Sequence, residues 1–287
     1  MSTIDTQDRS LETIRTLGRL LDDLERVRIM NSNRIGALQR SYGEPLPHLL
    51  EIANPLTQAE HLAELELVRA WRRHPLAPWA KHVKGLGEKS VARLIAEIGD
   101  PSIGSRGHWE VSTTSPETNG SHSSNDDQSV DASEDEKEPT GKAPRNRTWV
   151  IDEYFDRTVS QLWAYCGVGD PARNRIPRDA IQAEILKRGK PRAKKQMYLI
   201  ATGLLKSGIR DGSPITPWGE EYVAARQKYE DRIHDRDCPP CHAKPGDPWK
   251  PGHQHMAALR KVEKELLKEM WKEARRLRGL PTEMESH

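Results

Sequence analysis

Apolar residues in the first forty positions recur at three-and-four spacing. Leu17, Leu21, Leu24, Ile35 and Leu38, with charges between them, predict a long amphipathic helix over 9–42. Asn31 falls in the same stripe and would fix the register of a homodimer if this helix pairs with a copy of itself. An intramolecular hairpin would use the same stripe. Thr57 and Glu60 have the spacing of a capping box, which predicts a second helix through about Arg73. Pro75 and Pro78 open a short third helix, PLAPWAKHV, each near a helix start where the missing N–H is tolerated.

The next stretch, VKGLGEKSVARLIAEIGD, changes the picture from packing to chemistry. Val83 to Gly87 reads apolar, any, Gly, apolar, Gly, and Ala92 and Ile95 then face back toward the preceding helix. This is the pattern of a helix-hairpin-helix. Glycine allows positive φ and close backbone approach, which Gly85 and Gly87 would provide. Leu86 would plug the gap between the helices. The hairpin amides and the following helix N-terminus would then serve as anion ligands, with Lys84, Lys89 and Arg93 around the same phosphate. Such contacts hold a protein on duplex DNA without reading bases. The alternative is a plain connection between two helices.

Periodicity stops at about residue 104. The segment 104–147 is rich in Ser, Thr, Asn, Asp and Glu and has no apolar repeat, so a disordered acidic linker is expected. Within 105–140, nine Asp/Glu stand against Arg106 and Lys137, a local charge of −7; the net charge of +2 thus leaves +9 for the rest. Beyond the linker, TVSQLWAYCGVGDP supplies Leu162, Trp163, Tyr165, Cys166 and Val168 as core, with Cys166 a small buried hydrophobe rather than a nucleophile. A basic stretch follows, in which Arg173, Arg175, Arg178, Lys187, Arg188, Lys190, Arg192, Lys194 and Lys195 meet only Asp179 and Glu184. Its helical half, from about Pro191, turns Met197, Leu199, Ile200, Leu204 and Leu205 toward a core. A basic body with an acidic tether suggests a nucleic-acid partner, duplex DNA first and structured RNA second.

Composition adds limits. The 287 residues suffice for one large or two smaller domains, and three cysteines make no disulfide framework. There is no run of 18 apolar residues and no signal peptide at the start, so a soluble cytoplasmic protein, nucleoid-associated and without a membrane partner, is expected.

A separate signal sits at HDRDCPPCHAKPGDPWKPGHQH, residues 234–255. Cys238 and Cys241 have knuckle spacing, and His253 and His255 would complete a closed Cys2His2 site for structural Zn2+, with His234 as the reserve ligand. The alternative leaves idle thiols and histidines that cap the last helix. That helix, Met256–Leu277, carries Leu259, Val262, Leu266, Met270, Ala274 and Leu277 on one face.

The order of these motifs, hairpin KGLGEKSVARLIAEIGDP, LWAYCGVGDP, basic ILKRGKPRAKKQMYLIATG and GHQHMAALRKVEKELLKEMWKEAR, resembles the C-terminal half of the Piv/MooV-like transposases and DNA invertases of the insertion sequence 110 group. The resemblance covers roughly 75–103 and 158–278, and the leading helix is similar to that family's coiled-coil connector. It implies DNA recombination, with an RNA guide in some members. Two family features are missing: the preceding RuvC-like nuclease domain and the catalytic serine, whose interval here is GDPARNRIPRDAIQ.

The expected fold is mainly α: a helical connector over 1–74, a helix-hairpin-helix over 75–103, a linker over 104–147 and a second helical domain over 148–287. The expected function is DNA binding without catalysis of its own. The alternative is a transposase, or a truncated subunit of one, that works with a RuvC-like nuclease partner.

Overall fold

Leucine and isoleucine at helical spacing do organise the chain into helices. The structure, a computed structural model, describes residues 3–43, 47–111, 147–170, 189–238 and 241–283. Helix α1 spans Thr3–Tyr42, α2 Pro47–Trp71, α3 Ala77–His82 and α4 Glu88–Ile98. Strands β1 (Ile103–Val111) and β2 (Arg147–Asp156) follow, then α5 (Val159–Tyr165) and α6 (Pro191–Gly208). A tight hairpin of β3 (Ile209–Arg210) and β4 (Ser213–Pro214) leads to α7 (Pro217–Lys228) and α8 (Pro251–Leu277). The fold is mainly α. None of the described helices is long and apolar enough to cross a membrane.

The predicted stripe on α1 is used internally. Ile14 and Leu21 are buried, and Leu17 and Leu24 pack on the same core as Leu67 and Trp71 of α2 and Val91, Leu94 and Ile95 of α4. Asn31 lines a groove with Ile35 and Leu38 of α1 and Leu49, Ala53 and Leu56 of α2. Close approach of α1 to α4 depends on Gly18, where an added Cβ would lie 2.5 Å from that of Ala96.

Helix α2 departs from the sequence reading. It begins at Pro47 and runs through Pro55, so Thr57 is interior and caps nothing. Proline at a helix interior forfeits one backbone bond, and α2 accommodates it at Pro55. Glu60, the supposed capping-box partner, instead holds Arg28 of α1.

The segment read as linker is ordered at both ends. Residues 104–111 and 147 belong to strands, and the pairs Arg106–Glu153 and His108–Asp152 run antiparallel across them. Phe155 lies over Gly104, where any Cβ would collide with its ring. Alternating polar side chains disguised these strands, because a two-stranded ribbon has no buried face to show as period two. Residues 112–146, the rest of the predicted linker, lie outside the described residues.

Residues up to Ile103 and from Asp156 onward form one compact unit, and Gly104–Phe155 a second. The two helical parts expected to be separate therefore share a core. The Tyr165 hydroxyl and Lys190 Nζ both donate to the Glu97 carbonyl of α4, at 3.3 and 3.1 Å. Arg192 reaches Asp22 of α1 and Glu97, both at 3.7 Å. In α5, Thr158 and Gln161 form a true capping box, and Leu162 and Cys166 are buried. Along α6, Met197, Ile200 and Leu204 are buried as expected, but Leu199 is 45% exposed. It sits two residues from Met197, about 200° around the helix. Leu277 is likewise exposed, beyond the reach of the core, while Leu259, Val262, Leu266, Met270 and Ala274 are buried.

Candidate metal centre and candidate nucleic-acid interface

Between α7 and α8 the chain has almost no regular structure. Two isolated bridges, Ile233 with Pro248 and Cys238 with Ala243, fold it into a double loop. His234 donates its amide to the Asp247 carbonyl at 2.8 Å and accepts from Gly246 at 2.8 Å. His242 takes a positive φ of 57°, and its amide bonds the Cys238 carbonyl at 2.7 Å, which closes the knuckle between the two cysteines. At the far end Pro251 starts α8, and His253 lies in its first turn with its amide on the Lys250 carbonyl at 2.9 Å.

These local choices bring four side chains together. The ligand atoms of His234, Cys238, Cys241 and His253 all lie within 4.8 Å of one another, and this cluster can hold a metal ion. Cys238 Sγ is 3.6 Å from His253 Nε2, and Cys241 Sγ is 3.6 Å from His234 Nε2. A tetrahedral ion with metal–sulfur bonds of ~2.3 Å and metal–nitrogen bonds of ~2.0–2.1 Å sets S···N edges of about 3.6 Å. The imidazoles stand nearly perpendicular, with centroids 5.1 Å apart. Burial first, then the charges of His234 and Lys250, push the His253 pKa below its ordinary value, which favours the neutral ligand form. Trp249 packs beside both rings, and Lys250 Nζ donates to the Cys241 carbonyl at 2.8 Å.

His255, expected as the fourth ligand, is elsewhere. Its Nδ1 lies 2.7 Å from the Tyr222 hydroxyl of α7. With α8 beginning at Pro251, positions 253 and 255 are both helical and point about 200° apart, so they cannot share one ion. The reserve ligand His234 takes that corner and is buried, 7% exposed.

The glycine hairpin joins α3 to α4 as expected, with Ala92 and Ile95 fully buried and Leu86 packed against the core. Gly85 has φ +91°, and its missing Cβ makes room for Ser207 and Leu204 of α6. Gly87 caps α4 and no side chain bonds the first amides of that helix. Lys84 is exposed beside it.

Of the other expected cations, Lys89, Arg93, Lys190 and Arg192 are engaged with acids. Lys89 Nζ pairs with Glu64 at 2.5 Å. Arg93 is buried between Asp22 and Glu25 of α1, and its Nε has no partner; it is a core ion pair. Lys190 and Arg192 serve Glu97, and desolvation lowers the pKa of Lys194, with Arg260 adding to the effect. Of the expected cations among the described residues, Lys84, Lys194 and Lys195 are exposed and make no salt bridge; Lys81 is exposed near Glu88. Arg173, Arg175, Arg178, Lys187 and Arg188 lie outside the described residues.

Cys166 is fully buried, and burial pushes its thiol up to about 12, which keeps it a neutral thiol at neutral pH. Comparison with known proteins gives no family model that matches the chain, no curated protein and no solved structure.

Proposed function

We propose that this is a DNA-binding protein that holds the phosphate backbone through the α3–α4 hairpin and carries a structural Zn2+ at its Cys/His loop. The uncapped N-terminus of α4 carries the reading. It presents amides with no side-chain partner, with glycine at the cap and Lys84 exposed beside it. Helix N-termini of this kind favour anions. The order of motifs, which resembles transposase C-terminal halves, and the +9 outside the acidic segment support the same partner. The proposed contact set is Lys81, Lys84, Gly87 and the backbone around them; Lys89 and Arg93 are left out because they already pair with acids.

Zinc is the ion that two thiolates and two imidazoles at these spacings suit best. All four positions are protein ligands, so the ion's role would be to fold the loop rather than to activate water.

A gel-shift titration with duplex DNA tests the hairpin. A Cβ at Gly87 meets only Ser90 Oγ, at 3.8 Å, and its φ of −76° suits any residue. Gly87→Val should therefore keep the fold yet crowd the anion cradle, and Lys84→Glu should repel phosphate. Each should weaken binding about tenfold or more, with affinity falling steeply as salt rises. Unchanged binding in the double variant would overturn the hairpin as the contact.

A further inference from the structure

The solvent side of α1 carries apolar residues that the fold leaves uncovered. Leu20, Val27 and Met30 are 47%, 40% and 46% exposed, and Ala37 is exposed as well. With Asp23 and Arg34 they occupy positions 20, 23, 27, 30, 34 and 37, alternating steps of three and four. That is the seam of a heptad repeat, on the face opposite Ile14 and Leu21. Along the chain the seam reads Leu, Asp, Val, Met, Arg, Ala.

Turned end for end, this series complements itself. When two copies lie antiparallel about the point between residues 28 and 29, Leu20 meets Ala37, Asp23 meets Arg34, and Val27 meets Met30. Every layer is then apolar on apolar or acid on base, and each occurs twice by symmetry. A parallel in-register pair would instead set Asp23 against Asp23 and Arg34 against Arg34. We propose that α1 docks antiparallel on α1 of a second copy of this chain, through this outer seam.

The charges argue for a copy rather than an unrelated helix. Among the described residues, Asp23 pairs with Arg26 of its own helix, at 2.9 Å, with side chains 58% and 65% exposed. Such pairs contribute little and exchange readily. Arg34 has Asn31 at 3.5 Å and also lines the apolar groove between α1 and α2, which borders the seam. The overlap from 20 to 37 extends about 27 Å. A seam this short makes a reversible dimer, and it uses a face distinct from the inner stripe that builds the monomer's core.

Sedimentation velocity on the full-length chain over a concentration series tests the proposal. The mass should rise toward twice 32.6 kDa. Asp23→Arg or Arg34→Asp alone sets like charges opposite each other at both ends and should raise the dissociation constant at least about tenfold. The double swap D23R/R34D rebuilds both ion pairs and should restore association. Circular dichroism controls for folding, since both positions face solvent. Orientation is read by oxidising L20C/A37C and mapping the linked peptides, which should join 20 of one chain to 37 of the other. A monomer at every concentration, single swaps that leave the mass unchanged, a double swap that fails to restore it, or links joining 20 to 20 would each overturn the proposal.

Discussion

Helix α4 and the loop between α7 and α8 differ in what is available to hold their shapes. In the eleven residues of α4, Val91, Ala92, Leu94, Ile95 and Ile98 are buried, and even the charged Arg93 lies inside. Over 229–250, the described residues bury only His234 and Ala243. An apolar core resists loss of any one contact, because dispersion and burial are spread over many neighbours. A loop that buries so little beyond its four converging ligand atoms and the Trp249 ring beside them has far less reserve. The helical body should therefore be indifferent to metal, and the loop should depend on it.

Metal removal gives the largest expected effect and the sharpest test of that contrast. Structural zinc in small domains is worth about 10–16 kcal/mol of apparent binding energy, which is folding energy for the segment that it orders. Chelation, or Cys238→Ser, should abolish amide protection at His234, Cys238 and His242 while α4 and α6 keep theirs. Hydrogen exchange read by mass spectrometry checks this. Elemental analysis should give one zinc per chain in protein never exposed to chelator. Collapse of the whole helical unit on chelation would show that the loop supports the core after all.

Truncation in the body should do the reverse. Leu94 is fully buried, so Leu94→Ala should cost about 2–5 kcal/mol through lost burial and the cavity left behind. The thermal midpoint should fall while zinc content stays at the wild-type value. A loss of metal in parallel would erase the distinction between the two regions.

The two regions also respond to acid in opposite directions. Burial raises the Glu263 carboxyl of α8 to about 7, against the opposing charges of Arg260 and Lys194. Its folded value lies above the ordinary carboxylate value, so its contribution to stability is full below about 4.5 and is lost as pH rises through about 7. Glu263→Gln should thus stabilise the body by roughly 1–3 kcal/mol above neutrality and change little near pH 4. The Cys/His loop should behave in the other sense, since with an ion bound acid would protonate the ligands and release it. Melting curves of the variant and the wild type across pH decide it; equal midpoints at pH 8 would place a compensating charge on Glu263.

What the sequence made legible was local. Helical period located α1, α4 and α8, and the glycines located the hairpin, because spacing along one element is written in neighbouring residues. Partners across long separations were not. Nothing near Arg93 announces Asp22, which lies 71 positions away, so Arg93 read as a phosphate ligand when it is an internal ion pair. The Thr57–Glu60 spacing offered a local boundary signal, and tertiary packing of α2 on α1 overrode it. In the Cys/His loop, the cysteine spacing was readable. The choice between His234 and His255 was not, because it turns on where α8 begins.

That choice supplies the smallest prediction. His255 belongs to the body: its ring meets the Tyr222 hydroxyl at 2.7 Å and the Tyr222 ring edge-on, with centroids 5.7 Å apart. His255→Ala should cost about 1 kcal/mol, the net value of one hydrogen bond with modest packing loss. It should leave zinc at one per chain. His234→Ala removes a corner of the tetrahedron and should lower metal affinity by orders of magnitude, with the loop's amides exposed as under chelation. Zinc competition with a chromogenic chelator measures both variants on one scale. If His255→Ala released the ion and His234→Ala kept it, α8 would have to start later than Pro251, and the boundary between metal-held loop and core-held helix would move with it.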